Sequence, residues 1–142
     1  MPDNGERPDL LVDTSVAVAL VTVDHEQHQA TVDAVGERSV GLAGHAAFET
    51  FSVLTRLPPP LRLTPAAVEE LVARDFPLSC FLAADPTRRL IEQLGQLRIA
   101  GAAVYDALVG ATAVAHNLPL ASRDRRAIQT YRALGVNLEL FA

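Results

Sequence analysis

Apolar residues along the chain fall into two patterns that alternate from one end to the other. Short, nearly continuous apolar runs read as buried strands: residues 10–12, 39–43, 78–82, 118–122 and 136–141. Between them lie longer stretches in which apolar residues recur at helical spacing: 16–21, 25–35, 45–56, 65–77, 87–97, 102–116 and 124–134. Local chemistry marks the boundaries. Asp13, Thr14 and Ser15 put three capping-type side chains between the first strand and its helix. Gly44 closes the second strand, and Leu57 before Pro58, Pro59 and Pro60 stops the third helix, because a residue preceding proline is pushed out of the α region. Thr64-Pro65 and Asp85-Pro86 each read as a cap followed by proline at the first helical position. Asn117 and Gly135 tolerate the left-handed turn that ends a helix.

Strands alternating with helices imply parallel pairing, with helices covering both faces of the sheet. The expected fold is therefore a three-layer α/β/α sandwich around a central parallel β-sheet. It forms one domain over residues 1–142, with residues 1–7 flexible. No repeat, low-complexity tract or linker interrupts the pattern.

Composition narrows the chemistry. Every basic residue is arginine, so the chain has no lysine for a P-loop or a Schiff base. The formal net charge of −5 has the wrong sign for affinity built on neutralising many phosphates. Cys80 is the single cysteine and cannot form an intrachain disulfide; its apolar surroundings suit a small buried hydrophobe. Asp13 breaks the first apolar stretch and Asp106 lies in the middle of residues 99–115, so neither segment reads as a leader or a membrane span. The expected location is the cytoplasm.

Within this frame Asp13, Glu49, Asp106 and Asp124 stand out. Asp13 and Asp124 follow strands, where an Asp ordinarily caps free N–H groups and favours the helix dipole. Glu49 alone would be a solvated helix residue. Asp106 is surrounded in sequence by Ala103, Val104, Ala107 and Leu108, and a charge among apolar neighbours needs a reason. In a parallel sheet all strand C-terminal ends lie on one edge, where ligands bind. Asp13 and Asp124 belong to that edge, and Glu49, one turn into the helix after the second strand, can reach it. Asp106 stands one turn into a helix preceded by a loop. If these carboxylates converge, each like-charge pair at ~4 Å costs about 4 kcal/mol at an effective dielectric of 20. Such a cluster takes up protons or binds cations. Oxygen ligands without clustered Cys or His suit Mg²⁺ or Mn²⁺, whose chemistry hydrolyses phosphodiesters.

The motifs Leu11-Val12-Asp13-Thr14-Ser15-Val16, Glu49 with Leu54-Thr55-Arg56-Leu57-Pro58, Tyr105-Asp106-Ala107-Leu108 with Ala111-Thr112-Ala113, and Leu120-Ala121-Ser122-Arg123-Asp124 occur in an order that resembles the PIN-domain family. The resemblance is closest to the VapC-type toxins of type II toxin–antitoxin pairs, and it covers nearly the whole chain. It implies an endoribonuclease dependent on Mg²⁺ or Mn²⁺, with Asp13, Glu49, Asp106 and Asp124 as the acidic quartet and Thr14 and Ser122 as polar neighbours. It also implies a homodimer, a structured RNA substrate such as tRNA or rRNA, and silencing by a cognate VapB-type antitoxin that inserts a basic side chain into the pocket. An aromatic residue often follows the last motif in this family, whereas Ala127 and Ile128 stand there here.

Other features are read against ordinary explanations. Arg123, Arg125 and Arg126 flank Asp124 and either meet RNA phosphates or form a solvated face. His25 and His28 share a helical turn but lack a third ligand and read as solvent-facing; His45 and His116 sit at helix boundaries. Two competing functions remain. An aspartyl-phosphate enzyme would want an acid where Ser15 stands and a lysine the chain lacks. A non-catalytic PIN-like binding module would use the acidic pocket only to receive a partner's arginine.

Overall fold

The computed structural model describes residues 6–142. Its elements run β1 (Leu10–Val12), α1 (Thr14–Val21), α2 (His28–Val35), β2 (Val40–Leu42), α3 (His45–Thr55), α4 (Pro65–Asp75), α5 (Ala84–Leu97), α6 (Ala103–Ala115), β3 (Leu120–Ser122), a 3-10 turn (Arg125–Ala127), α7 (Ile128–Ala133) and β4 (Leu138–Leu140). All strand pairs are parallel, and the sheet order is β2-β1-β3-β4.

The period of two along the strands sorts their side chains to two faces. Leu11 and Leu120, paired in register, pack with Ala46, Val109, Ala113 and Tyr131 under α6 and α7. Leu10, Val12, Leu42 and Ala121 pack on the other face with Val16, Ala17 and Phe76, beneath α1 and the end of α4. The expected α/β/α layering is thus present, and the β1 residues are fully buried between the layers, as the apolar run required.

Several expectations are corrected. Residues 78–82 do not form a strand: Cys80 makes one isolated parallel bridge to Ala43 and the chain then leaves the sheet. The close approach there is permitted by Gly41, where a Cβ would lie 2.5 Å from the Leu78 carbonyl oxygen. Cys80 is only half-buried. The second helix begins at His28 rather than residue 25, because the His25 Nδ1 accepts the Gln27 N–H and holds a turn. Asp85 is not a cap: α5 starts at Ala84, and Asp85 lies in its first turn beside Arg88. The last helix opens as the 3-10 turn before α7. Of the residues expected to be flexible, 1–5 lie outside the described residues. Arg7 is tethered, since its guanidinium donates to the His116 and Asn117 carbonyls at 2.7 and 3.0 Å. Among the described residues, no helix is long and apolar enough to cross a membrane.

From β1 the chain crosses to β2 on one side, while β3 lies on the other. The crevice beyond the C-terminal ends of β1 and β3 is therefore the topological switch point, the usual ligand position in open parallel sheets.

Candidate active site

Asp13 stands immediately after β1, at that crevice. It caps α1 as expected, its Oδ1 accepting the Val16 N–H at 3.3 Å. The same oxygen accepts the Ser15 hydroxyl at 2.5 Å, and Oδ2 accepts the Tyr131 hydroxyl at 2.9 Å. Asp13 is only 5% exposed. Burial pushes its carboxyl above the usual range, against the opposing pull of the Ser122, Ser15 and Tyr131 hydroxyls and the Val16 N–H. Tyr131 is buried in turn, and its hydroxyl is driven far up by burial and by the Asp13 charge it faces. Gly110 on α6 makes room for this tyrosine: a Cβ there would lie 3.0 Å from the ring.

Asp124 caps the 3-10 turn after β3, its Oδ1 accepting the Arg126 N–H at 3.0 Å, while the Ser122 hydroxyl accepts the Asp124 N–H at 3.0 Å. Ser15 joins the two strand ends, since its hydroxyl donates to Asp13 and accepts the Arg123 N–H at 2.8 Å. Glu49, one turn into α3, lies 3.7 Å from the His45 Nε2. Asp106, in the first turn of α6, has its carboxyl raised to about 6. Burial is the largest cause, followed by the charges of Asp124, Glu49 and Asp13, with Arg126 acting in the opposite direction.

The four acids converge: Asp13, Glu49, Asp106 and Asp124 line one cavity of about 60 Å³, together with Thr14, Ser15, Val109 and Tyr131. Whether a divalent cation fits is decided by what these donors need. Every polar side-chain donor lining the cavity is oxygen, which suits a hard cation. Thr14 Oγ1 is buried there without a hydrogen-bond partner, and such an orphan calls for a ligand. Yet among the described residues no three His, Cys, Asp or Glu side chains stand close enough to hold one ion directly. The arrangement therefore suits an ion that keeps part of its water shell and touches one or two carboxylates, as Mg²⁺ prefers.

The flanking arginines divide. Arg126 forms an exposed ion pair with Asp124 at 3.3 Å, and Arg125 is exposed. Arg123 donates its guanidinium to the Ala142 carbonyl and its N–H to Ser15, so it braces the site. His25 and His28 are half-buried and occupied with backbone, the His28 Nδ1 lying 2.8 Å from the Ala19 carbonyl; they are not the solvent-facing pair expected. Ser15 and Tyr131 are site residues that sequence reasoning passed over. Ser15 was visible as a neighbour of Asp13 in the capping run. Tyr131 carries no local signal, although it supplies from α7 an aromatic ring that the sequence lacks at Ala127 and Ile128.

The sequence profile of the PIN domain matches residues 10–133. The chain belongs to the PIN domain family. Its relatives include Ribonuclease VapC27 of Mycobacterium tuberculosis, 44% identical over 136 residues that cover 96% of this chain and 99% of the relative. Ribonuclease VapC40 of the same organism is 49% identical over 130 residues, covering 90% and 96%. Among solved structures, FitAcB from Neisseria gonorrhoeae superposes with a TM-score of 0.64 at 20% identity, covering 91% of this chain and 95% of that one. VapBC2 from Rickettsia felis, bound to a DNA fragment from its promoter, gives 0.65 at 14% identity, covering 94% and 98%. These structures share the PIN fold. In this PIN domain β4 lies beyond the matched residues and adds the last strand beside β3.

Proposed function

We propose that this PIN domain is an endoribonuclease toxin of a toxin–antitoxin pair, hydrolysing RNA phosphodiester bonds with Mg²⁺ or Mn²⁺ held by Asp13, Glu49, Asp106 and Asp124. The observation that carries it is the convergence of four carboxylates on one small cavity, with Asp106 raised to about 6 by burial and by the other three. The ribonuclease names of relatives 44% and 49% identical support the same reading.

A divalent cation bound there supplies neutralising charge and the acidity that readies water and phosphate for in-line displacement. The chain's own residues prepare the site. Ser15, Tyr131 and the Val16 N–H fix the Asp13 carboxylate in one orientation, so its position is set before any ligand arrives. The Arg126 N–H holds the Asp124 carboxylate, and the Ser122 hydroxyl fixes the Asp124 backbone by accepting its N–H. The Asp106 carboxyl is raised to about 6, and a cation held beside it would favour its charged form. Exposed Arg125 and Arg126 offer positive charge to RNA phosphates beside the acidic cavity.

The substrate in this reading is a structured RNA such as tRNA or rRNA, cut in the cytoplasm. The partners are a cognate VapB-type antitoxin and a second copy of the chain. A groove of about 480 Å³ lined by Ala47, Phe51, Val72, Phe76 and Phe81 suits the apolar face of an antitoxin helix. Exposed Phe48 and Ile91 suit a homodimer contact.

Incubating the purified chain with cellular RNA tests the proposal. Cleavage yielding 5′-phosphate and 3′-hydroxyl ends, abolished by a chelator and by Asp13→Ala, is expected. Cyclic-phosphate products would refute the water mechanism. Growth arrest that persists unchanged in Asp106→Asn would favour the binding module.

A further inference from the structure

Beside Glu49 of the acidic cavity two rings stack: the centroids of His45 and Tyr105 lie 4.7 Å apart, with planes inclined by 19°. Tyr105 immediately precedes Asp106 on α6, and His45 opens α3 with its Nε2 3.7 Å from Glu49 Oε1. The stack therefore bridges the two helices that deliver Glu49 and Asp106. Despite the contact, Tyr105 remains 52% exposed. One face of its ring is backed by the imidazole, so that exposure lies on the rest of the residue.

We propose that the other face of Tyr105, held in place by His45, seats one nucleobase of the RNA beside the scissile phosphate and so helps set which RNA is cut. The inference rests on the ribonuclease reading above and adds a specificity-determining contact to it. Three observations favour a base as the occupant. The first is position: Tyr105 stacks on His45, whose Nε2 lies 3.7 Å from Glu49, one of the carboxylates lining the cavity. RNA with its phosphate at the cavity would have this ring within reach of a neighbouring base. The second is charge. The chain carries −5 overall and the acidic cavity repels phosphate, so the charge that Arg125 and Arg126 offer is a modest hold on RNA. Stacking adds affinity by a route independent of charge, and every base has a face to offer. The third is preorganisation: the His45 ring and the Glu49 carboxylate behind it limit the orientations of Tyr105, so little freedom is lost when a base lands. Splayed bases on aromatic rings are the usual means of reading single-stranded parts of RNA.

The test uses the full chain and a fluorescein-labelled single-stranded RNA of mixed sequence, about 12 nucleotides long, within common single-strand site sizes. A companion series replaces each base in turn by an abasic ribose. Anisotropy titrations run with Ca²⁺ as the only divalent cation. Removing one particular base is expected to weaken wild-type binding about ten-fold. Tyr105→Ala should weaken binding of the intact RNA by a similar factor and make that abasic position silent. Tyr105→Phe should keep wild-type behaviour, and His45→Ala should fall between. Thermal melts confirm that each variant folds.

Unchanged affinity in Tyr105→Ala, or an abasic penalty that persists in it, would overturn the proposal. So would a change of oligomeric state in sedimentation without a change in RNA affinity, because the ring would then belong to a protein contact. The two readings fail separately. A wild-type chain that shows the base-specific pattern yet cuts no RNA loses the nuclease and keeps the stack. A chain that cuts cellular RNA, with the same 5′ ends and KM in Tyr105→Ala, keeps the nuclease and loses the stack.

Discussion

Replacing Asp106 by Asn should make the metal-free protein more stable while destroying its activity. The Asp106 carboxyl is raised from 3.8 to about 6 in the fold, first by burial and then by Asp124, Glu49 and Asp13. Between those two values the folded state binds a proton that the unfolded chain has released. Stability therefore falls as pH rises through this window and stays lowered above about 6. At about 1.4 kcal/mol per pH unit, the span corresponds to ~3 kcal/mol. Asp106 is partly exposed, and solvent screening reduces the figure to ~1–2 kcal/mol. An Asn keeps the shape and carries no charge at any pH. Urea unfolding in EDTA should thus show Asp106→Asn matching wild type below about pH 4 and exceeding it by ~1–2 kcal/mol at pH 7. Adding Mg²⁺ should narrow or reverse the difference, because the ion rewards the charged site. A variant less stable than wild type at pH 7, or a difference independent of pH, would refute the argument that burial and the neighbouring acids raise the Asp106 carboxyl.

Tyr131→Phe removes a hydroxyl that donates to the buried Asp13 at 2.9 Å. It should cost about 1–3 kcal/mol in urea unfolding and raise the Asp13 carboxyl further; stability equal to wild type would contradict this. Gly110→Ala places a methyl 3.0 Å from the Tyr131 ring and from Val136. A loss of about 1–3 kcal/mol in stability is expected, with a parallel loss of RNA cleavage as the tyrosine is displaced, and calorimetry beside a cleavage assay would show both. Arg126→Ala removes a charge that lowers Asp106, so the carboxyl should titrate higher than in wild type. Carbon-detected NMR of the Asp106 carboxyl reads this directly, and an unmoved or lowered titration would contradict it.

How much was legible in the sequence depends on the range of the interaction. The β1 run and the spacing of the α6 apolar residues are local, and both elements appear within a residue or two of where the pattern put them. The run at 78–82 has the same apolar character, but a short apolar run does not reveal whether a partner strand is free beside it. Cys80 finds only Ala43. The acids were legible because topology, not contact, brings them together. Asp13 and Asp124 follow adjacent parallel strands, and any residue after such a strand lands on one edge. Tyr131 was not legible, since its role depends on a ring crossing from α7 beneath a glycine of α6 to a carboxylate 118 positions away. The His45–Tyr105 stack is equally silent: both residues sit at helix starts, where their identities suggest nothing about each other.

The same counting of contacts explains how Asp13 serves as both helix cap and site residue. A carboxylate offers about four lone-pair positions. Ser15 and the Val16 N–H take two on Oδ1, Tyr131 takes one on Oδ2, and the Ser122 hydroxyl also acts on the carboxyl. A cap alone needs a single acceptor, and a solvated aspartate would leave the rest to water. Here burial denies it water, and protein donors stand in for it. That set of donors keeps the charge tolerable in the fold and fixes the direction of the carboxylate that would face a cation. Ser15 and Tyr131 would thereby tune any cation the carboxylates hold, because they orient Asp13.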